Sequence, residues 1–500
     1  MTHSAKDIEI ASHIHKKALD WIASGPKKLL IDGRWVGASS GKTFETINPA
    51  TESVLTQVAE ADSADIDLAV IAARRALESP TWRGISPHIR AGYLLRIADL
   101  IDKHSEELAL IETIDNGVPY TASLSRMPNI AEIFRYYAGW VSKLYGTTNP
   151  SDESRFIYML REPIGVCALI NAWNVPLTMA AIKLAPALAC GNTVLLKPAE
   201  QTPLSTLRLA ELIQECELPP GVLNVVPGFG HTAGASMSAH MDIDKISFTG
   251  STAVGRQILQ ASANSNLKKV SLELGGKSPN IIFPDADIDT AAQAAVNGFC
   301  RNSGQICSSG TRLFTHTSIY DEVVEKVCRL ASTLTSGSPL DPQTNLGPLI
   351  SSIQMDRVLS YVDAGLSEGA KLALGGSRSG DIGYFVEPTV FANATNRMKI
   401  AREEIFGPVL SVIPFNDEND AVLQGNDTIY GLAAAVWTRD VSRAHRVARA
   451  LKTGRVWINT YAESDHSMSI GGYKQSGFGR EFGAESIESY TQTKSILMRL

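Results

Sequence analysis

The sequence predicts an α/β fold made of two successive sheet-and-helix series. Two observations carry that reading: short apolar runs alternate with helical segments from Pro163 to Gly275, and a second such alternation begins near Ser278. Strand, helix and strand recur at βαβ spacing, which gives parallel sheets covered by helices on both faces. The 500 residues are 44% hydrophobic and 20% charged, an ordinary globular balance that excludes disorder and fibrous classes. At roughly 100 to 200 residues per domain this length holds about two to four domains, with room for a cleft between them.

The opening MTHSAKDIEIASHIHKK mixes both charge signs and lacks the apolar core of a signal peptide. From Arg90 to about Ile114 the residues Leu94, Ile97, Ile101, Leu108 and Ile111 recur at helical spacing, so one amphipathic helix is expected, stopped by Asn116-Gly117. Then come the strand VCALI at 166–170, a helix ending before Gly191, the strand TVLLK, a helix from about Ser205, and the strands LNVV, KISFT and KVSLELG. The stretch from Val166 to Ile182 is the most apolar. Asn171, Asn174 and Pro176 interrupt it, so it reads as a buried strand, loop and helix and not as a membrane span. The second series runs through NIIF, a helix around 287–300, TRLFTH, a helix from Asp321, and the strands VLSVIPF, AAAVWT and RVWINT. No low-complexity linker separates the series, and the boundary is placed at Gly275-Gly276.

A net charge of -6, from 46 basic and 52 acidic residues, argues against nucleic acid or an anionic membrane as partner. The six cysteines, at 167, 190, 216, 300, 307 and 328, show neither CxxC nor metal-ligand spacing. No metal site and no disulfide framework is expected, and reduced thiols fit the cytoplasm.

Several short segments could carry chemistry. Gly228-Phe229-Gly230-His231-Thr232-Ala233 follows the strand LNVV and fits a loose dinucleotide pattern, although a plain turn explains it as well. Phe248-Thr249-Gly250-Ser251-Thr252-Ala253-Val254-Gly255 runs from a strand into a helix whose free N–H groups could meet a phosphate. The alternative is a simple N-cap with glycine-assisted packing. Lys197 and Glu200 stand at a strand's carboxyl end, where a carboxylate would bind a ribose diol and repel a 2′-phosphate; as surface residues they would do neither. Cys307 lies in the polar, glycine-flanked NSGQICSSG, a candidate nucleophile, whereas the other cysteines lie in expected strands or helices. Glu273 belongs to a strand buried on both faces, where its pKa should rise, and is either a general base or a paired buried acid. Asn174 follows VCALI and could donate its amide to an oxyanion, or merely form a turn.

Taken together and in order, these segments resemble the aldehyde dehydrogenase superfamily from IDGRW near 31 to TKSIL near 493. LELGGKSPN at 272–280, GQICSSG at 304–310, EEIFGPV at 403–409 and GGYKQSGFGRE are similar to its hallmark stretches. The resemblance implies Cys307 as nucleophile, Glu273 as base and Asn174 as oxyanion donor. It implies NAD as cofactor, bound by Trp173, Lys197, Glu200, Gly230, Gly250, Ser251, Gly255, Glu404 and Phe406. The GxGxxA match at 228 then serves mostly packing. It further implies a Rossmann-like cofactor domain over 1–145 and 164–275, a catalytic α/β domain over 276–480, and a small β flap from 146–163 and 486–500 that builds a homodimer or homotetramer.

The implied reaction is oxidation of an aldehyde to its acid through a thiohemiacetal and a thioester on Cys307, hydrolysed by water that Glu273 activates. A CoA-acylating relative or a catalytically silent binding protein of the same fold are the competing readings; Glu273 argues against the first, and the intact Cys307, Glu273 and Asn174 against the second. By the same resemblance Val175, Met179, Ile182, Ile306, Ser464 and Ile470 line the substrate tunnel. Ala172 and Ser469-Ile470 depart from the family's usual Pro and Pro-Phe, and several tunnel positions often aromatic in the family are aliphatic or small here. A wider apolar passage for an alkyl or aryl aldehyde is expected. Asp465-His466 would admit a polar or cationic substrate only if a side chain faced the tunnel; a solvated loop is the alternative.

Overall fold

The computed structural model describes residues 12–500; the extreme start of the chain read above lies outside the described residues. The first sheet has eight strands, in the order Gly477–Phe478, Lys269–Glu273, Lys245–Thr249, Val166–Ile170, Thr193–Lys197, Leu223–Val225, Leu29–Ile31 and Arg34–Val36. The central ones run parallel, in the register Ile170 to Lys197 and Thr249 to Glu273, and the outer ones antiparallel. Every residue of strands Val166–Ile170, Thr193–Lys197 and Lys245–Thr249 is buried, because helices cover both faces.

After the amino-terminal strands Leu29–Ile31 and Arg34–Val36, which take one edge, the chain builds the parallel part of this sheet outward from Val166–Ile170 through Thr193–Lys197 and Leu223–Val225. It then returns to add Lys245–Thr249 on the other side of the starting strand. Strand order therefore reverses between Val166–Ile170 and Lys245–Thr249. A crevice opens beyond the carboxyl ends at such a switch point, and the segments Asn171–Asn174 and Gly250–Ser251 leave the sheet there.

The second sheet orders Lys371–Leu374, Thr389–Ala392, Val409–Phe415, Arg312–His316, Pro279–Ile282, Ala433–Trp437 and Arg455–Ile458, parallel except for the first pair. The chain passes from one sheet to the other between Glu273 and Pro279. A third sheet pairs Thr491–Arg499 with Arg155–Pro163, and the latter with Thr147–Asn149, all antiparallel. Residues 486–489, expected in this flap, instead end the helix Gly483–Ser489.

The helix expected from Arg90 to Ile114 is two helices, Pro87–Lys103 and Ser105–Asn116, broken at His104, whose φ of -110° and ψ of 19° are not helical. The second helix is buried from Glu107 to Asn116, and its acids turn inward to partners such as Arg208, 2.8 Å from Glu107. Apolar spacing continues across the break, which is why periodicity does not reveal it. Periodicity likewise does not announce the strands Lys371–Leu374 and Thr389–Ala392 or the amino-terminal strands, all three to six residues long with little pattern.

Candidate active site

Cys307 sits on a loop whose shape is held from several sides. The chain leaves helix Ile288–Cys300 and turns through Asn302 and Ser303, both left-handed at φ 51° and 55°. Gly304 follows at φ +74°, where a Cβ would overlap the carbonyl of Gly407. Asn174 and this loop clasp each other. Asn174 Nδ2 donates to the Gln305 carbonyl at 2.8 Å, and Asn302 Nδ2 donates to the Asn174 carbonyl at 2.8 Å. Tyr461 adds a hydroxyl bond to the Ser308 carbonyl at 2.6 Å. Gly276 lies so close that a Cβ there would overlap the Cys307 carbonyl, which is the physical need behind the second glycine of LELGG. The Asn174 amide spends one hydrogen on Gln305 and keeps a second.

Glu273 ends its strand and is buried. Burial and the neighbouring Glu481 carboxylate hold its pKa well above the ordinary carboxylate value, against the pull of Lys183, Arg480 and Arg455. Lys183 is the single charge in the helix Pro176–Ala189; its ammonium donates to Glu481 and, at 2.8 Å, to Thr249 Oγ1. Within the stretch GGYKQSGFGRE, Gly477–Phe478 forms an edge strand, with Gly477 opposite Glu273 and the Ser476 carbonyl accepting from Leu274 N at 3.0 Å. That explains how a carboxy-terminal motif reaches this site. The Cys307 thiol is pushed up to about 12 by burial, with the negative charges of Glu404 and Glu273 adding to it, so it is neutral in the free protein near pH 7.

Of the residues expected at a cofactor, Trp173, Lys197, Glu200, Gly250 and Ser251 stand at or just beyond the carboxyl ends of strands of the first sheet. Lys197 is buried at its strand's end, with its ammonium 3.2 Å from Glu200 and 3.1 Å from the Pro198 carbonyl. Trp173 meets Phe406 edge to face at 5.5 Å, and its indole N–H is buried without a partner among the described residues. Glu404 accepts from the Gly276 N–H at 3.1 Å and packs over Gly275; burial raises its pKa to about 7. Ser251 is the N-cap of helix Thr252–Ala263, accepting from Val254 N at 3.3 Å. Gly250 and Gly255 make room for the Phe248 ring and for Leu274, so packing requires both. The 228 motif divides: Gly228 packs against the Ala61 carbonyl, while a Cβ on Gly230 would meet nothing within 4 Å.

Cys307, Asn174 and Glu273 line one cavity of about 200 Å³, together with Val175, Met179, Ile182, Ile306, Ser464 and Ile470. Asp465 and His466 do not line it. Asp465 bonds Ser467, and His466 stacks on Tyr136 with ring centroids 6.2 Å apart. Sequence reasoning missed three lining arginines, Arg126, Arg301 and Arg455, and the buried pair Lys183–Glu481. A signal existed for two of them: Lys183 interrupts an apolar helix, and Arg301 stands just upstream of the cysteine loop.

A doubly wound sheet whose switch-point crevice opens beside a loop-borne thiol and a buried carboxylate defines an enzyme of the nucleotide-dependent α/β class. The chain belongs to the aldehyde dehydrogenase family, whose sequence pattern matches residues 35–496. An aldehyde dehydrogenase of Emericella nidulans is 50% identical over 475 residues, covering 95% of each chain. The mitochondrial aldehyde dehydrogenase family 2 member B4 of Arabidopsis thaliana is 50% identical over 95% of this chain and 88% of its own. Among solved structures, the NAD+ complex of an aldehyde dehydrogenase from Bacillus cereus superposes with a TM-score of 0.96 at 46% identity, covering 99% of both chains.

Proposed function

We propose that this family member oxidises an aldehyde to its carboxylic acid with NAD as hydride acceptor, through a covalent intermediate on Cys307. The supporting observation is that a thiol, an amide with a free hydrogen and a carboxyl of raised pKa line one cavity beside the crevice. In this reading the domains are those expected above: a cofactor domain holding the first sheet, a catalytic domain holding the second, and the flap.

The crevice fits the cofactor: the Trp173 indole N–H is buried and unpartnered, and the backbone at Gly230 is open to close approach. Trp173, Lys197, Glu200, Gly230, Gly250, Ser251, Gly255, Glu404 and Phe406 would hold it. Bound there, it supplies the two-electron acceptor for the substrate's hydride. Glu200 favours NAD over a 2′-phosphorylated cofactor by charge, though Lys197 offsets part of that.

Cys307 loses its proton to solvent water and its sulfur attacks the aldehyde carbon. The second amide hydrogen of Asn174 and the Cys307 N–H stabilise the oxyanion of the resulting thiohemiacetal. Oxidation leaves a thioester on Cys307. Glu273, once ionised, takes a proton from water, which attacks that thioester and releases the acid. The apolar walls Val175, Met179, Ile182, Ile306 and Ile470 receive an alkyl or aryl segment next to the carbonyl.

Absorbance at the reduced-cofactor band, with NAD or NADP and a panel of alkyl, aromatic, amino and carboxy aldehydes, tests the reading. One equivalent of acid per reduced cofactor, with NAD preferred, is expected; no reduction with any aldehyde would instead favour a silent binding protein of this fold.

We also infer a homodimer or homotetramer. Strand Thr491–Arg499 is paired along one edge only among the described residues, and it exposes Leu497 and Met498. Sedimentation as a monomer at micromolar concentration would remove that inference. All six thiols are unpaired, which supports the cytoplasm or another reducing compartment, and finding the protein in an oxidising one would count against it. Among the described residues no helix is long and apolar enough to cross a membrane.

A further inference from the structure

The cavity is not uniformly apolar. Its deep end holds buried Glu273, Asn174 and Thr249, while its exposed lining residues are Arg301, Asn129 and Ser464, which places the mouth at those three. Of the three arginines that line the cavity, Arg455 is buried beside Glu273 at the deep end, and the other two stand on this route. Arg126 comes from helix Tyr120–Ala138, one turn before Asn129, and Arg301 from the end of helix Ile288–Cys300.

The two are short of negative partners. Arg301 has no carboxylate within 4.0 Å among the described residues and makes no side-chain hydrogen bond there. The single carboxylate near Arg126 is Glu112, at the outer limit of 4.0 Å. That glutamate is buried, already bound to Leu177 N at 3.1 Å and to the Ser123 hydroxyl at 3.4 Å, and burial shifts it toward its neutral form. Arg126 keeps a buried Nη1 with no hydrogen-bond partner, and its side chain is only 11% exposed. Burial, with the positive charge of Arg301 adding to it, lowers the pKa of Arg126 to about 10. Two under-neutralised arginines on one passage attract an anion, and a guanidinium fork matches a carboxylate in shape. The acids of the cavity, Glu273 and Glu481, belong to its buried end, where the carbonyl reacts, so they do not oppose an anionic group held at the mouth.

We propose that the substrate is an aldehydo acid: an aldehyde whose chain crosses the apolar middle of the cavity and carries at its far end a carboxylate held by Arg126 and Arg301. This rests on the aldehyde reading above. It narrows the apolar passage to a spacer between two polar ends and makes the product a dicarboxylate.

The test compares kcat/KM for linear aldehydes of matched length ending in carboxylate, methyl or ammonium, with NAD saturating, in wild type and in Arg301→Met, Arg301→Glu and Arg126→Met. Wild type is expected to prefer the carboxylate over the methyl end by about tenfold or more, most strongly at low salt. Arg301→Met should bring that ratio toward one, chiefly through KM, and Arg301→Glu should turn the preference toward the ammonium end. Arg301 is exposed, so its variants report even if loss of the buried Arg126 disturbs folding. Equal or better use of the methyl-ended aldehyde by wild type, or an unchanged ratio in Arg301→Met, overturns the proposal and leaves the aldehyde reading intact. Failure to oxidise any aldehyde overturns that reading, and the proposal with it.

Discussion

Cys307→Ser loses turnover by about a thousandfold or more while still binding NAD. A serine hydroxyl is a weaker nucleophile and a poorer leaving group than a thiol, and both halves of the reaction need what the thiol supplies: attack on the carbonyl, then departure from the acyl group. The loop itself should survive the change, because its shape depends on Asn302, Gly304, Gln305 and the clasp to Asn174 and not on sulfur. Steady-state rates give the first quantity and quenching of tryptophan fluorescence by NAD the second. In the free wild-type enzyme the thiol is neutral at pH 7, so alkylation by iodoacetamide should be slow there and quicken as pH climbs toward its pKa of about 12. Retained turnover in the serine variant would move the chemistry to another group.

Glu273→Gln should uncouple the two half-reactions. On the proposed route the thioester still forms, so a burst of about one reduced cofactor per site is expected, followed by a steady state slower by roughly a hundredfold to ten-thousandfold. The sign of the pH effect follows from the raised pKa. Burial and Glu481 favour the protonated form, and only the ionised form can accept water's proton, so wild-type kcat should rise with pH along a limb above the ordinary carboxylate value of 4.5. The glutamine variant has no group to titrate and should lose that limb. A variant without a burst would place the role of Glu273 before thioester formation, and one with an unchanged acidic limb would deny it the role of base.

The buried strands were legible in advance because each is a short apolar run ended by glycine, proline or a polar loop. Val166–Ile170, Thr193–Lys197 and Lys245–Thr249 lie where that pattern puts them. His104 was illegible because a helix can stop and restart without interrupting apolar spacing. The strand Thr389–Ala392 is too short to signal itself.

At the site, residue type and setting singled out Cys307, Glu273 and Asn174, since a thiol on a polar glycine-flanked loop and an acid in an apolar strand are chemically conspicuous by themselves. The sequence by itself indicated the two sheets and offered Cys307, Glu273 and Asn174 as candidates, whose roles the family resemblance implied. Only tertiary structure decided what surrounds them. Lys183 and Glu481, 298 positions apart in the chain, pair beside Glu273, and Arg126 and Arg301 line one cavity from two separate segments. Periodicity and local motifs record what neighbours along the chain must bury, whereas the charges that face a substrate are set by which helix ends the packing of two sheets brings together.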